Sequence, residues 1–301
     1  MVPKSVQHGE SCSYQGDVHI PSICDIVGEY VGYPDAILME NWKNMRRYTG
    51  GHEVDCFKAF IVCDYYPDSR KHFMHYNDVL NRLGVDLAIC NTPDVLKNVR
   101  SQQEIGHLPG RLKSVFISQG VDTDIFMPLA VNPLFDVMAV YGLVSYIYPT
   151  REAVQKAINS LPGVTSLIGN WKSNIKHEKY AESVARSKIF VCANGINNQV
   201  LMKYFEVMSS GTLLLTNMPR DCKAYGFIPG KHFAVWSDID DLVKKIYFYL
   251  EHESVRESIA AAGMKFVRSK FSTKKIASEI VDKLSIGVQE KESIPYASGI
   301  A

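Results

Sequence analysis

Lys203 and Glu206 stand three positions apart in the stretch LMKYFEVMSSGTLLLTN, residues 201–217. On a helix, positions i and i+3 share one side. An exposed pair of this kind contributes only about 0.2–0.5 kcal/mol and carries no chemical task. The neighbours Leu201, Met202, Tyr204, Phe205, Val207 and Met208 leave that helix little surface for water. Charges on a mostly buried helix need partners. A nucleotide supplies both kinds: a diphosphate for the ammonium and ribose hydroxyls for the carboxylate. Gly211 then lets the chain turn close to such a ligand.

The preceding loop, ANGINNQ (193–199), places Gly and Asn before a helix start. Unpaired N–H groups and the helix dipole draw phosphate to such an end. The signal is generic, because every strand-to-helix turn has one. His72 and His75 in KHFMHY share the i, i+3 spacing that zinc could use. No third ligand accompanies them, and surface or core histidines fit better. Asp122 and Asp124 in DTD read as turn residues, and DIDD (238–241) as an acidic helix start.

These residues need elements to hold them. Short apolar runs recur at AILM (36–39), FKAFIVC (57–63), DLAIC (86–90) and SVFI (114–117), with amphipathic stretches between them. The second half repeats the alternation at FDVMAV (135–140), TSLI (165–168), KIFVC (188–192), TLLLT (212–216) and HFAV (232–235). The intervening helical stretches include PTREAVQKAINSL, KYAESVARS and QVLMKYFEVMSS. Strands alternating with helices predict βαβ units and parallel sheets, and strands buried on both faces should be continuously apolar. SQGVDTDIFMPLAVNPLFD (118–136) has turn residues, prolines and no period, which suits a domain boundary. Ligands of open parallel sheets sit at strand carboxyl ends, so the loops after 140, 168, 192 and 216 are the places to look.

A chain of 301 residues fits two domains. Lys plus Arg total 33 and Asp plus Glu 32, which argues against nucleic acid as a partner. The seven Cys are odd in number and show no C-x-x-C spacing, so a reducing, cytoplasmic compartment is expected rather than a disulfide scaffold. The N-terminal stretch lacks a signal-peptide core, and no apolar run reaches membrane-spanning length. Peripheral attachment to a membrane enzyme complex stays compatible with this composition.

The stretch LMKYFEVMSSGTLLLTN, followed by GFIPGKHFAVWSDIDDLVKKIYFYLEHESVRESIAAAGMKFV, resembles the donor-binding half of group 1, family-4-like glycosyltransferases of the GT-B fold. Within them it is most similar to the spore-maturation CgeB-like set. The likeness covers roughly residues 110–285. It includes SQGVDTDIFMP, similar to the interdomain linker, and YGLVSYIYPTR (141–151), similar to the first donor-domain loop. It implies an α/β GT-B architecture, two Rossmann-like domains with parallel sheets facing across a cleft. Residues 1–122 would form the acceptor side, short by one βα unit, and 123–272 the donor side. Residues 273–301 would form a helix crossing back to the first domain and a frayed tail.

The resemblance also implies roles. Glu206 matches the glutamate that binds the donor ribose. Arg151 and Lys203 match basic positions that neutralise the diphosphate. Gly142 allows phosphate to approach the backbone, and Ser210, Gly211 and Thr212 match the small-residue turn beneath the nucleotide. No metal or cofactor is implied beyond a nucleoside-diphosphate sugar donor. Where related retaining enzymes carry a first glutamate, eight positions before Glu206, this chain has Asn198, an amide that can bond a sugar hydroxyl but not stabilise positive charge. Retention and inversion both stay open. Inversion needs a base near the acceptor hydroxyl, and Asp64 is the candidate by position, although DYYPD also suits a turn. The expected activity is therefore metal-independent transfer of a sugar to a glycan, lipid-linked, protein or small-molecule acceptor. The alternatives are a non-catalytic nucleotide-binding scaffold of the same fold and a nucleotide-sugar epimerase.

Overall fold

The structure is a computed structural model and describes residues 34–40, 51–63, 73–144, 146–170, 175 and 178–293. Two sheets organise it. The first joins β1 (Ala36–Met39), β2 (Phe57–Val62), β3 (Leu87–Cys90) and β4 (Lys113–Phe116) in that order, with β1 and β2 parallel and Ala36 paired to Phe57. Helices α1 (Phe73–Arg82) and α2 (Pro93–Glu104) accompany it. Thr92 Oγ1 accepts from Val95 N at 3.2 Å, which caps α2 ahead of Pro93. Pro suits that position because its missing N–H would have had no intrahelical partner.

The second sheet comprises β5 (Phe135–Val140), β6 (Ser166–Gly169), β7 (Ser187–Cys192), β8 (Leu213–Asn217) and β9 (Ala234–Trp236). Its order is β6-β5-β7-β8-β9 and every pairing is parallel. Helices α3 (Arg151–Asn159), α4 (Glu178–Ala185), α5 (Met202–Ser209), α6 (Ile239–Glu251) and α7 (Glu253–Lys270) alternate with or follow these strands. Ile189 to Cys192 and Leu213 to Leu215 are fully buried, as strands covered on both faces require. The chain leaves β5 for β6 on one side and returns to β7 on the other. That reversal makes the ends of β5 and β7 the topological switch point, where a crevice opens in sheets of this kind.

Within the described residues the chain divides into two compact units. One falls in Met1–Ala88, Asn98–Ser114 and Gly287–Ala301, the other in Ile89–Lys97 and Val115–Ile286. Helix α8 (Thr273–Glu292) ends in the first unit, where Lys291 Nζ donates to the Cys56 carbonyl at 2.7 Å. In the second unit Asp238 caps α6 by accepting from Asp241 N at 2.9 Å, so the acidic run is a helix start. Asp122 Oδ1 accepts from Asp124 N at 2.9 Å, a local turn. Among the described residues no helix is long and apolar enough to cross a membrane. Cys56, Cys63, Cys90, Cys192 and Cys222 are free thiols.

One boundary differs from the sequence pattern. The helical period starts at Gln199, but α5 begins at Met202, with Leu201 extended as its N-cap. Val200 N is taken by Asp221 Oδ1 at 2.8 Å, which holds this segment against the loop after β8 instead of in a helical turn.

Candidate functional site

Arg151 opens α3 and lies at the switch point. It is 4% exposed. Its Nη1 donates to the Gly142 carbonyl at 2.8 Å, just past β5, and its Nε to the Ala193 carbonyl at 3.0 Å, just past β7. The guanidinium also lies over the Tyr148 ring, 3.3 Å from its centroid, and 4.8 Å from that of Tyr141. Rings and carbonyls together offset the desolvation of this cation. Tyr141 is itself buried, and its hydroxyl has no hydrogen-bond partner among the described residues. Burial pushes that phenol far above its ordinary range.

Lys203 and Glu206 follow on α5. Their side chains are 23% and 17% exposed, and Nζ stands 4.0 Å from Oε2. The helical spacing does bring them to one side, but the connection runs through a third residue. The Tyr180 hydroxyl on α4 accepts from Lys203 Nζ at 2.8 Å and donates to Glu206 Oε2 at 3.1 Å. Lys203 Nζ also lies 4.5 Å from the Tyr180 ring centroid. Burial pushes the Glu206 carboxyl up and the Lys203 ammonium down, and each partner's charge opposes the shift. Burial and the neighbouring Glu206 charge hold the Tyr180 phenol well above its ordinary range, so it keeps its proton. Cys192, at the end of β7, feels the charges of Arg151, Lys203 and Glu206. Burial pushes its thiol up to about 11, so it packs as a protonated hydrophobe rather than a nucleophile.

Asn198 lies before α5 with φ at +46°, a left-handed conformation that Asn tolerates better than most residues. Its Oδ1 accepts from Asn194 Nδ2 at 3.0 Å and Asn217 Nδ2 at 3.1 Å, and its Nδ2 donates to the Met218 carbonyl at 2.7 Å. The amide therefore stitches the loop after β7 to the loop after β8. Ser210, Gly211 and Thr212 form the turn from α5 into β8. Ser210 Oγ donates to the Glu206 carbonyl at 2.9 Å, Gly211 takes φ of +76°, and Thr212 Oγ1 donates to the Val184 carbonyl at 2.6 Å. That last bond fixes α4, and with it Tyr180, beside the end of α5.

The structure thus gathers Lys203 and Glu206 into one cluster and Arg151 with the Gly142 carbonyl into another. Asp64 and His72 lie outside the described residues. Sequence reasoning missed Tyr180, whose position on an ordinary amphipathic helix carries no signal. It also gave no role to Tyr141 and Tyr148, although an aromatic run ahead of Arg151 was visible. An open recess of about 580 Å³ lies at the ends of β8 and β9 and includes Asn198, Asn217, Trp236, Asp241 and Lys245 in its lining. Its charged groups already bond each other, with Lys245 Nζ 3.0 Å from Asp241 Oδ2. Among these candidate residues it takes in only Asn198. Among the described residues no three His, Cys, Asp or Glu side chains cluster as metal ligands would.

Residues 150–282 match the protein family described as Glycosyl transferase-like. No curated protein sequence matches the chain. Solved structures do. Sucrose-phosphate synthase from Thermosynechococcus elongatus superposes with a TM-score of 0.60 at 12% identity, over 84% of this chain and 73% of that one. Anabaena Alr3699/HepE in complex with UDP and glucose gives 0.63 at 13% identity, over 83% and 77%. The pneumococcal O-GlcNAc transferase GtfA in complex with UDP and GlcNAc gives 0.55 at 13%, over 81% and 54%. At these identities the likeness is one of fold, and the fold is GT-B.

Proposed function

We propose that the protein is a glycosyltransferase that moves a sugar from a nucleoside-diphosphate sugar, with UDP as the nucleotide, to an acceptor hydroxyl, without a resident metal ion. The observation that carries this reading is the half-buried Lys203–Tyr180–Glu206 cluster, which lies inside the segment that matches the glycosyl transferase-like family. The UDP bound in the Anabaena and pneumococcal structures supports the choice of nucleotide. We further propose the spore-maturation CgeB-like set as the nearest relatives, residues 123–272 as the donor domain and the cytoplasm as the compartment, a choice the free thiols support.

In this reading Glu206 accepts from the ribose hydroxyls. The bond from the sugar's anomeric carbon to the diphosphate oxygen breaks, and its electron pair leaves on that oxygen. Lys203, Arg151 and the uncapped N-terminus of α5 stabilise the developing charge. Gly142 lets the diphosphate approach the backbone, and Ser210, Gly211 and Thr212 hold the turn below the nucleotide. The acceptor oxygen bonds to the anomeric carbon and loses its proton to a base, for which Asp64 is the proposed group. A scaffold that binds nucleotide without transfer is favoured by one observation: the Asn198 amide is committed to three bonds within the protein.

The test is a thermal-shift and calorimetric titration with UDP, UDP-glucose and UDP-GlcNAc in chelator, followed by an assay for UDP release with candidate acceptors. A binder raises the melting temperature by mass action. Glu206→Ala is expected to weaken UDP binding by roughly 1–3 kcal/mol. No binding of any of the three by the unmodified chain overturns the reading, and binding with no transfer to any acceptor class selects the scaffold.

A further inference from the structure

Glu206, the proposed ligand for ribose, already has one oxygen engaged. Oε2 accepts from Tyr180 at 3.1 Å and faces Lys203 Nζ at 4.0 Å, while among the described residues no group bonds Oε1. Tyr180 is in turn held from two further sides. Lys203 donates to its hydroxyl at 2.8 Å, and the ring of Phe126 meets its ring edge-on at 6.1 Å between centroids. Phe126 is itself fixed, since its carbonyl accepts from Ser209 Oγ at 2.6 Å and Arg268 Nη1 at 3.2 Å. A hydroxyl set between an ammonium that donates and a carboxylate that accepts has its own proton pointed at the carboxylate. The rotation of the Glu206 carboxylate is thereby fixed from outside α5.

We propose that Tyr180 is the positioning residue of the nucleotide site: by bonding Glu206 Oε2 it fixes the rotation of the carboxylate, leaving Oε1 free to accept from the ribose hydroxyls, and so sets discrimination between ribo- and deoxyribonucleotides. The proposal rests on the donor reading above and extends it to a residue on α4, outside the stretch 201–217. A phenol brace is also the group suited to this place. It gives the carboxylate a directional bond without adding a charge, whereas a second cation would repel Lys203 and compete with it for Glu206.

The experiment titrates the full chain with UDP, 2′-deoxy-UDP and 3′-deoxy-UDP by calorimetry, in the unmodified protein and in Tyr180→Phe. The unmodified protein should prefer UDP over either deoxy analogue by roughly tenfold. Tyr180→Phe keeps the ring and its contact with Phe126. It should reduce the preference to about twofold. Lys203 also loses the Tyr180 hydroxyl as a partner, and any effect of that on the diphosphate is common to all analogues and cancels in the ratio. A preference that survives in Tyr180→Phe overturns the role of Tyr180 and leaves the donor reading standing. A parallel loss for all analogues also overturns it, because that is the mark of a structural defect. If the variant does not fold, an unmodified protein that binds both deoxy analogues as tightly as UDP overturns the proposal, because Glu206 would then have no ribose contact for Tyr180 to position. Failure of the unmodified protein to bind UDP removes both readings together.

Discussion

Arg151 and Ala193 are joined across the switch point of the five-stranded sheet, the Nε of the first donating to the carbonyl of the second at 3.0 Å. With the bond from Nη1 to the Gly142 carbonyl, one buried guanidinium braces the loops that follow β5 and β7. A cation proposed to face a leaving diphosphate is thus also part of the frame. This predicts that substitution here damages folding as well as transfer. Arg151→Ala strands two carbonyls and empties the space between two rings, at a cost of about 2–4 kcal/mol. Arg151→Lys keeps the charge, but its ammonium lacks the planar fork that reaches two carbonyls, so about 1–2 kcal/mol should be lost. Urea unfolding of the two variants measures both. A loss below about 0.5 kcal/mol for the alanine variant, the level of an ordinary surface change, would show that the brace is not formed.

Asn198, proposed to stand where related retaining enzymes carry a glutamate, is bonded so that a carboxylate does not fit in place of its amide. Asn198 Nδ2 donates to the Met218 carbonyl, and an Asp oxygen in its place would set two acceptors against each other. Asn198→Asp is therefore expected to destabilise the chain by about 1–3 kcal/mol and not to raise transfer. Asn198→Ala loses the same bonds and also strains the positive φ, so it should be the less stable of Ala and Gly at this position. Parallel melts of the Asp, Ala and Gly variants test the ranking. An Asp variant as stable as the parent, or one with a gain in turnover, removes this account.

His232 carries a pH dependence. It is buried, its ring stacks on Phe266 at 4.3 Å between centroids, and its Nδ1 accepts from Ile228 N at 3.2 Å. Accepting requires an unprotonated Nδ1, so the native ring is neutral with its proton on Nε2. Burial, and then the Lys231 charge, lower its pKa below the ordinary 6.5. The unfolded chain then binds a proton more readily than the folded one. The stability this ring contributes is complete above about pH 6.5 and declines as pH falls through that value toward the lower folded pKa. His232→Asn, whose side-chain oxygen can accept from Ile228, should flatten this part of the stability profile between pH 7 and 5. An unchanged slope in that variant assigns the acid sensitivity elsewhere.

Much of the frame was legible because parallel strands covered on both faces must be apolar without interruption. FDVMAV, KIFVC and TLLLT each fall within a residue or two of β5, β7 and β8. Lys203 and Glu206 were legible as a pair for the opposite reason, being charges where the helix has no solvent to spare. Tyr180 was not legible. It lies 26 positions before Glu206, and nothing local distinguishes it from a packing aromatic. Its role follows only from the bond between Thr212 and Val184 that sets α4 against the α5–β8 turn. The start of α5 was misjudged for a related reason: Asp221, 21 positions on, takes the Val200 amide that a helical turn would have needed.

Gly287 lies inside α8 and is buried, although Ala would favour the helix by about 1 kcal/mol. The reason is Phe57 at the start of β2. A methyl group at Gly287 would overlap Phe57 Cζ and lie 2.5 Å from both Cε atoms, so the ring would have to move. Phe57 is 5% exposed, so moving its ring disturbs a buried side chain. Gly287→Ala should therefore destabilise the first unit by about 1–3 kcal/mol despite its better helix propensity. Phe57→Leu alone should also cost stability, through lost burial of the ring. The double variant should cost less than the sum, because the smaller Leu makes room for the methyl group. Chemical denaturation of the four proteins closes the cycle. Strict additivity, or a stabilising Gly287→Ala, would mean that the last turns of α8 do not pack against β2 at this distance.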